Sequence, residues 1–596
     1  MLAGTTIAEF PPEDLTRAAE LITRRLRPAD IRVVLKEIDR RRSGTKGIER
    51  LVAETENRTR LLHSRLPDEE LARFLVDVSG GDLLTSRTLR KVLALRASEG
   101  ELDQLHDFPY ATKARGTSQE ALARCVAERN WHPGKRWARH FVSVLGFPEA
   151  FAGFSGIHGG PNFEDVQPHV PLKPLTDFQE DLRAQVSDLL HAPQGENRAI
   201  LTLPTGAGKT RTTVEALIDW WLCPRKGNFI LWIAQSDELC EQAIEAFREV
   251  WIDRGDRNNV RDSLRLYRVW GARTTVPEED GIIVSTIDKL RKALVDSESG
   301  QLREALTRGG AVGVIVIDEA HRAEAWSYRR VLGALGVEFT GSTQSVTPVL
   351  GLTATPLRSQ HDETLRLARR FYGRLLRPRN LPEDPAEVLI ELRRRGVLAN
   401  PMHRFLPPNR RVVRLTSAQE EYITEWKDLP SDLLLQLGEE KDRNRQLLDT
   451  IVVLDESWPV LFFGCSVQHA QAMAVLLRRR GRESASVTAE TKETTRRHLV
   501  DAFRCRSIQV LCNYGVLTTG FDAPQVRAVV IARPTASRVL YDQMIGRGMR
   551  GPTFGGTDEC LVLDVDDNLI HTNGRRLSTV SREYTEYWVN RLDESL

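Results

Sequence analysis

The stretch AILTLPTGAGKTRT, residues 199–212, decides how the rest of the chain is read. A short apolar run breaks into a Pro-Thr-Gly-Ala-Gly turn, and Lys209 and Thr210 open a predicted helix. Uninterrupted runs such as AILTL suit strands buried on both faces of a parallel sheet. Gly206 and Gly208 let the backbone turn tightly, so that its N–H groups and the helix dipole meet an anion. The strict pattern G-x-x-x-x-G-K-[ST] has glycine at 203, where this chain has Leu203; Pro204 can shape the turn another way. On this reading Pro204, Thr205, Gly206, Ala207 and Gly208 cradle the phosphates of ATP. Lys209 sits on the β and γ phosphates, and Thr210 offers its hydroxyl to Mg²⁺.

Outward from this loop, the 596 residues exceed what one hydrophobic core organises, so several domains are expected. With 41% hydrophobic and 28% charged residues the composition is that of a globular chain. No apolar run approaches the roughly 18 to 20 residues of a membrane helix, and the start, MLAGTTIAEFPPEDL, lacks the pattern of a secretory signal. The seven cysteines, Cys125, Cys223, Cys240, Cys465, Cys505, Cys512 and Cys560, are scattered without a CxxC pair. That argues against a disulfide framework or a zinc site and fits the cytoplasm. A net charge of +2 arises from 84 basic and 82 acidic residues, so any nucleic-acid footprint must be local.

Changes of pattern divide the chain. Residues 1–168 read as a mostly helical N-terminal domain of unknown role, closed by the glycine- and proline-rich FAGFSGIHGGPNFEDVQPHVPLKP. Residues 169–376 alternate helical stretches with AILTL, FILWIA, GIIVST, VGVIVID and PVLGLTA, the signature of a doubly wound parallel α/β domain. Residues 377–440 read as a connector. Residues 441–575 repeat the alternation with PVLFFG, SASVTA, IQVLCN, AVVIA and ECLVLDV, and 576–596 as a tail helix. The fold class is therefore α/β, two doubly wound sheets in tandem behind a helical domain.

The run VIVIDEAH puts Asp318 and Glu319 just past a buried strand, where parallel sheets place their ligands. Asp318 would hold Mg²⁺ through its water shell, and Glu319 would orient or deprotonate the attacking water. With these motifs in order, the chain resembles a superfamily 2 helicase of the DEAD/DEAH group over residues 172–575. The resemblance implies RecA-like domains. It implies that Gln179 in PLTDFQEDL reads adenine with Phe178 stacking on the base. It further implies that DEAH, from Asp318 to His321, and LTATP, with Thr353 and Thr355, couple the sites. In NYGVLTTGFDAPQV it gives Thr518 to nucleic acid and Gly520 and Asp522 to the nucleotide. In QMIGRGMR it makes Gln543, Arg547 and Arg550 the γ-phosphate sensor and arginine fingers. Those arginines reach the nucleotide only if the two α/β domains close on it, which makes a mechanical cycle from electrostatics.

The nucleic-acid strand is expected across both domains, held by its phosphates. Ser285 and Thr286 in VSTIDKL and the VWGAR loop around Gly271 resemble strand-contacting motifs. In residues 111–141 seven basic residues and two acidic ones surround Trp131 and Trp137, either a binding surface for nucleic acid or a protein partner, or a helical pair with tryptophans in its core. No nuclease pattern is visible, and the four-cysteine zinc element of some RadD-like helicases is lacking. The end, GGTDECLVLDVDDNLIHTNG, is most similar to RadD-like helicases and the motor subunits of restriction systems. The resemblance therefore implies an ATP- and Mg²⁺-dependent DNA helicase or double-strand translocase in repair or anti-phage defence, with a nuclease or other defence or repair subunit as a partner. The alternatives are an RNA helicase and an ATP-gated DNA-binding subunit that recruits a nuclease.

Overall fold

Runs that are apolar on every residue need cover on both faces, and two sheets receive it. The structure is a computed structural model. It describes residues 12–580 apart from 41–46, 57–65, 109–117, 154–162, 167–171, 223–228, 259–262, 272, 274–275, 297–299, 324, 339–345, 355–360, 408–411, 427, 517–524 and 578. The strands of the first lobe are β1 (Phe163–Val166), β2 (Arg198–Thr202), β3 (Phe229–Ala234), β4 (Leu264–Val269), β5 (Ile282–Thr286), β6 (Val312–Asp318), β7 (Val349–Thr353) and β8 (Leu375–Leu376). They form one sheet in the order β1-β4-β5-β3-β6-β7-β2-β8, parallel except for β1. Successive residues of β3 face opposite sides, as strand geometry requires. Ile230 and Trp232 pack with Phe178, Leu217 and Phe247, whereas Leu231 and Ile233 pack with Leu290, Leu332 and Leu367.

The second lobe contains β9 (Asn400–Leu406), β11 (Val460–Phe463), β12 (Ser484–Thr488), β13 (Val510–Tyr514), β14 (Ala528–Ile531) and β15 (Glu559–Val565), a parallel sheet in the order β12-β13-β11-β14-β15-β9. Two short strands, β10 (Val413–Arg414) and β16 (Leu569–Ile570), pair separately. The ten apolar runs singled out in the sequence all appear as strands. The stretch expected as a connector to residue 440 is shorter, because β9 already belongs to the second sheet. NPMHRFL alternates exposed and half-buried positions, as an edge strand does, and lacks the continuous apolar signal of its neighbours. The true crossing is the helix Pro385–Arg394, which Asp384 caps by accepting from the Ala386 and Glu387 amides at 2.7 and 3.3 Å.

Among the described residues from Pro12 to Leu145 the regular elements are helices, three of them capped by Ser86, Ser98 and Ser118. Their apolar faces share one core with the second lobe. Leu51, Val52, Leu71 and Leu75 lie in the same cluster as Leu447, Ile451, Met473 and Leu476. Charge reinforces the seam: Arg479 pairs with Glu56 at 2.8 Å and Glu70 at 2.9 Å, and Arg445 donates to the Thr55 carbonyl at 2.9 Å. The helical region thus precedes the first lobe in the chain but packs on the second. Within it Trp137 is buried under Arg129, whose guanidinium lies 4.4 Å from the ring centroid, and Arg90 lies 5.2 Å from Trp131. Of the two readings of residues 111–141, the described part supports tryptophans in the core.

Among the described residues no helix is long and apolar enough to cross a membrane. The expected tail helix at 576–596 falls largely outside the described residues.

Candidate functional site

The loop after β2 is shaped by two residues in the left-handed region, Gly206 at φ 88° and Gly208 at φ 86°. Gly208 also precedes the helix Lys209–Trp221, and a Cβ there would collide with the Gln179 amide. Gln179 is fully buried. Its Oε1 accepts from the Thr176 amide at 3.0 Å, capping its own helix, and its Nε2 donates to the Ala207 carbonyl at 3.2 Å. Both ends of the amide are engaged inside the protein, so Gln179 positions the loop here rather than facing a base. Phe178 is likewise corrected: it is 0% exposed in the core with Leu182 and Leu217, where apolar burial holds it and no ring face is open for stacking. Pro204, Thr205, Gly206 and Thr210 are half-buried around the loop, and Ala207 is buried beneath it.

Lys209 donates to the Leu203 carbonyl at 2.9 Å. Desolvation pushes its ammonium below the ordinary lysine value, Glu319 and Asp318 oppose that shift, and Arg547 adds to it. Asp318 ends β6, and its Oδ1 accepts from the Glu319 amide at 3.0 Å. Burial raises its carboxyl and the neighbouring Glu319 charge raises it further, against Lys209 and Arg547. Glu319 stands at φ 52°, ψ 50°, a left-handed conformation rare outside glycine and costly enough to need support. Burial alone would raise Glu319 as well. The hydrogen bond from His321, at 3.2 Å, with Lys209 and Arg547, holds it below the ordinary carboxylate value. His321 Nδ1 also lies 3.3 Å from Thr353 Oγ1 at the end of β7, so the DEAH and LTATP motifs touch. Thr355 lies outside the described residues.

The second lobe closes directly on this loop. A Cβ at Gly546 would stand 2.9 Å from Thr205 Cβ, and one at Gly206 would stand 3.5 Å from Leu398 and 3.8 Å from Arg550 Cα. Leu398 and Arg550 form an antiparallel bridge, flanked by the Ala399 amide donating to Met549 at 2.9 Å. Gln543 is buried on the helix Arg538–Ile545 that leads into these arginines. The field of Arg547 reaches Lys209, Asp318 and Glu319 together. Leu398 carried no sequence signal, and Gly546 was read only as part of QMIGRGMR with no role of its own, because their part is the close approach of one backbone to another.

Of the nucleic-acid candidates, Gly271 is exposed in the turn after β4. Ser285 is corrected: it is wholly buried, and its hydroxyl donates to the Val269 carbonyl at 2.6 Å, joining β5 to β4. Thr286 is buried too, at the start of the helix Ile287–Arg291. Thr518, Gly520 and Asp522 lie outside the described residues.

Comparison with known proteins agrees with this geometry. Residues 172–358 match the family described as Type III restriction enzyme, res subunit, and residues 443–551 match the Helicase conserved C-terminal domain. IRC3 of Saccharomyces cerevisiae, assigned as an ATP-dependent helicase, is 27% identical over 404 residues, 65% of this chain and 51% of IRC3. A Schizosaccharomyces pombe protein assigned as a mitochondrial ATP-dependent helicase, irc3, is 30% identical over 294 residues, 48% of this chain and 43% of that protein. A fragment of an HsdR subunit assigned to a type I restriction enzyme of Vibrio vulnificus gives a TM-score of 0.44 at 18% identity, covering 69% of this chain and 71% of the fragment. The chain spans about half the length of the curated relatives it matches.

Proposed function

We propose that the chain is a superfamily 2 helicase that hydrolyses ATP to drive movement along nucleic acid, acting as a DNA helicase or double-strand translocase. One observation carries this reading: Gly546 of the second lobe packs on Thr205 of the phosphate loop and Arg550 stands against Gly206, which brings Arg547 into the field of Lys209, Asp318 and Glu319, so that one charged pocket draws on both lobes. Phosphoryl transfer gathers negative charge on the γ-phosphate, and a pocket lined from two movable bodies ties that charge to their closure.

In this pocket Lys209 and the loop from Pro204 to Gly208 hold the phosphates. Arg547 and Arg550 stabilise the transferring group, and Gln543 supports them. Glu319, kept ionised by His321, orients the attacking water and accepts its proton. The oxygen donors fit Mg²⁺: Thr210 offers a hydroxyl, and Asp318 is a buried acid of the kind a cation keeps ionised. Bound there, the ion would neutralise phosphate charge. Among the described residues no cluster of three or more His, Cys, Asp or Glu forms a cage, which suits an ion shared with substrate phosphates. His321, Thr353 and Thr355 relay the state of the nucleotide to the strand-binding side.

The description of the first matched family favours DNA, and with it a role in defence or repair beside a nuclease or other subunit. A cytoplasmic setting is part of the same proposal; no disulfide joins the described cysteines Cys125, Cys240, Cys465, Cys505, Cys512 and Cys560. ATPase titrations with single-stranded DNA, duplex DNA and RNA test it. Stimulation by duplex or single-stranded DNA is the expected result. Stimulation by RNA alone would make the protein an RNA helicase, and ATP-dependent partner binding without stimulation would make it a gated subunit.

A further inference from the structure

Glu241 stands one turn into the helix Asp237–Asn258, beyond the carboxyl end of β3. Three guanidinium groups meet its carboxylate: Arg268 on β4 at 3.4 Å, Arg273 in the turn after β4 at 3.3 Å, and Arg497 at 3.5 Å. Arg497 belongs to the helix Glu493–Arg504 of the second lobe, so Glu241 is tied to both lobes at once. Arg268 is nearly buried, with 5% of its side chain exposed, whereas Arg273 and Arg497 keep 12% and 29%. One turn further, Glu245 lies in the field of Arg504 and Asp501 from that same second-lobe helix.

The surroundings say which anion such a cluster suits. The turn that carries Arg273 also carries Gly271, whose carbonyl accepts from Lys289 Nζ at 3.1 Å, and the Arg273 guanidinium lies 5.2 Å from the Trp270 ring centroid. Ser285 and Thr286 are buried, so the cationic groups on this edge are the ones placed to meet a phosphate. Arginines brought together from several elements are a usual receptor for a phosphodiester, and a carboxylate carries the same single negative charge in a smaller group.

We propose that Glu241 is a built-in surrogate for a nucleic-acid phosphate. Without nucleic acid it holds Arg273 and Arg497 across the cleft and so helps to keep the lobes together. A backbone phosphate displaces it, takes over the same arginines and maintains the bridge. The inference rests on the nucleic-acid reading above and adds to it a competitor carried by the chain itself.

Glu241→Gln and Arg497→Gln test it by fluorescence anisotropy with labelled oligo-dT and a labelled duplex over a range of salt, and by ATPase without nucleic acid. Both variants should lower the nucleic-acid-free ATPase, because each cuts the bridge. Their effects on binding should be opposite. Glu241→Gln should tighten binding by roughly three- to tenfold and steepen the plot of log affinity against log salt by about one, as one more arginine meets a phosphate. Arg497→Gln should weaken binding and flatten that plot by about one. A Glu241→Gln protein with wild-type melting that binds more weakly, or with an unchanged salt slope, overturns the surrogate role and leaves Glu241 a structural ion pair. Wild-type protein that binds neither probe overturns the nucleic-acid reading itself, a result visible before any variant is compared.

Discussion

Arg547, in the second lobe, works against the protonation of Lys209, in the first, and the same guanidinium favours ionisation of Asp318 and Glu319. A cation that acts on the lysine and both carboxylates from the other lobe is what the proposed triphosphate pocket requires. Packing enforces the placement. Gly546 abuts Thr205 and Leu398 abuts Gly206, so the arginine segment cannot retreat without the lobes parting.

Lys209→Ala removes the loop's cation and should weaken ATP binding and abolish turnover. Glu319→Gln keeps shape and hydrogen bonding but cannot accept the water's proton. It should retain ATP while kcat falls by about a thousandfold or more. Equilibrium binding of labelled ATP beside single-turnover hydrolysis separates the two. Normal turnover by Glu319→Gln would refute the role given to that residue.

Gln179→Ala loses the bond to the Ala207 carbonyl and the cap at Thr176, and should cost about 1–3 kcal/mol of stability. As a residue that positions the loop, it should raise KM for ATP and GTP alike, alongside a lower melting temperature. A selective loss for ATP, with melting unchanged, would return Gln179 to reading adenine.

Magnesium dependence should follow the raised carboxyl of Asp318. On the proposed assignment its ionised form holds the ion, so apparent Mg²⁺ affinity should strengthen as pH rises through that raised value and weaken as pH falls below it. Titrations of ATPase with Mg²⁺ at about pH 6 and about pH 8 measure the change, beyond the shift of an ordinary carboxylate. Asp318→Asn should lose most of the affinity and its pH dependence together.

Val52 is fully buried in the core shared by the N-terminal helices and the second lobe. Val52→Asp places a charge there and should destabilise by about 3 kcal/mol or more. Calorimetry should show the loss in a transition that includes the second lobe, and Arg479→Ala should shift the same transition by about 1 kcal/mol. A separate N-terminal transition moving alone would contradict the shared core.

Much of this was legible in the sequence because buried parallel strands leave continuous apolar runs, and because the loop chemistry is local: glycines, lysine and hydroxyl must be adjacent. β4 escaped notice since Arg265 and Arg268 interrupt the apolar run in LRLYRV, Arg268 being tucked against Glu241. β9 did so because an edge strand needs burial on part of its surface only. Phe178 and Ser285 were misjudged for a common reason: position beside a motif does not reveal which side a chain turns, and both turn inward. The docking of the N-terminal helices on the second lobe depends on side chains such as Val52 and Met473 that are hundreds of residues apart, and no spacing encodes that partnership.

The kinetics of Arg547→Ala probe the shared pocket most directly. With that guanidinium gone and both lobes still folded, ATP affinity should change by no more than about threefold while kcat falls by about 10³ or more, the scale of a lost arginine finger. A variant that hydrolyses ATP at the wild-type rate would show that the first lobe works alone, and the two-lobe pocket would have to be abandoned.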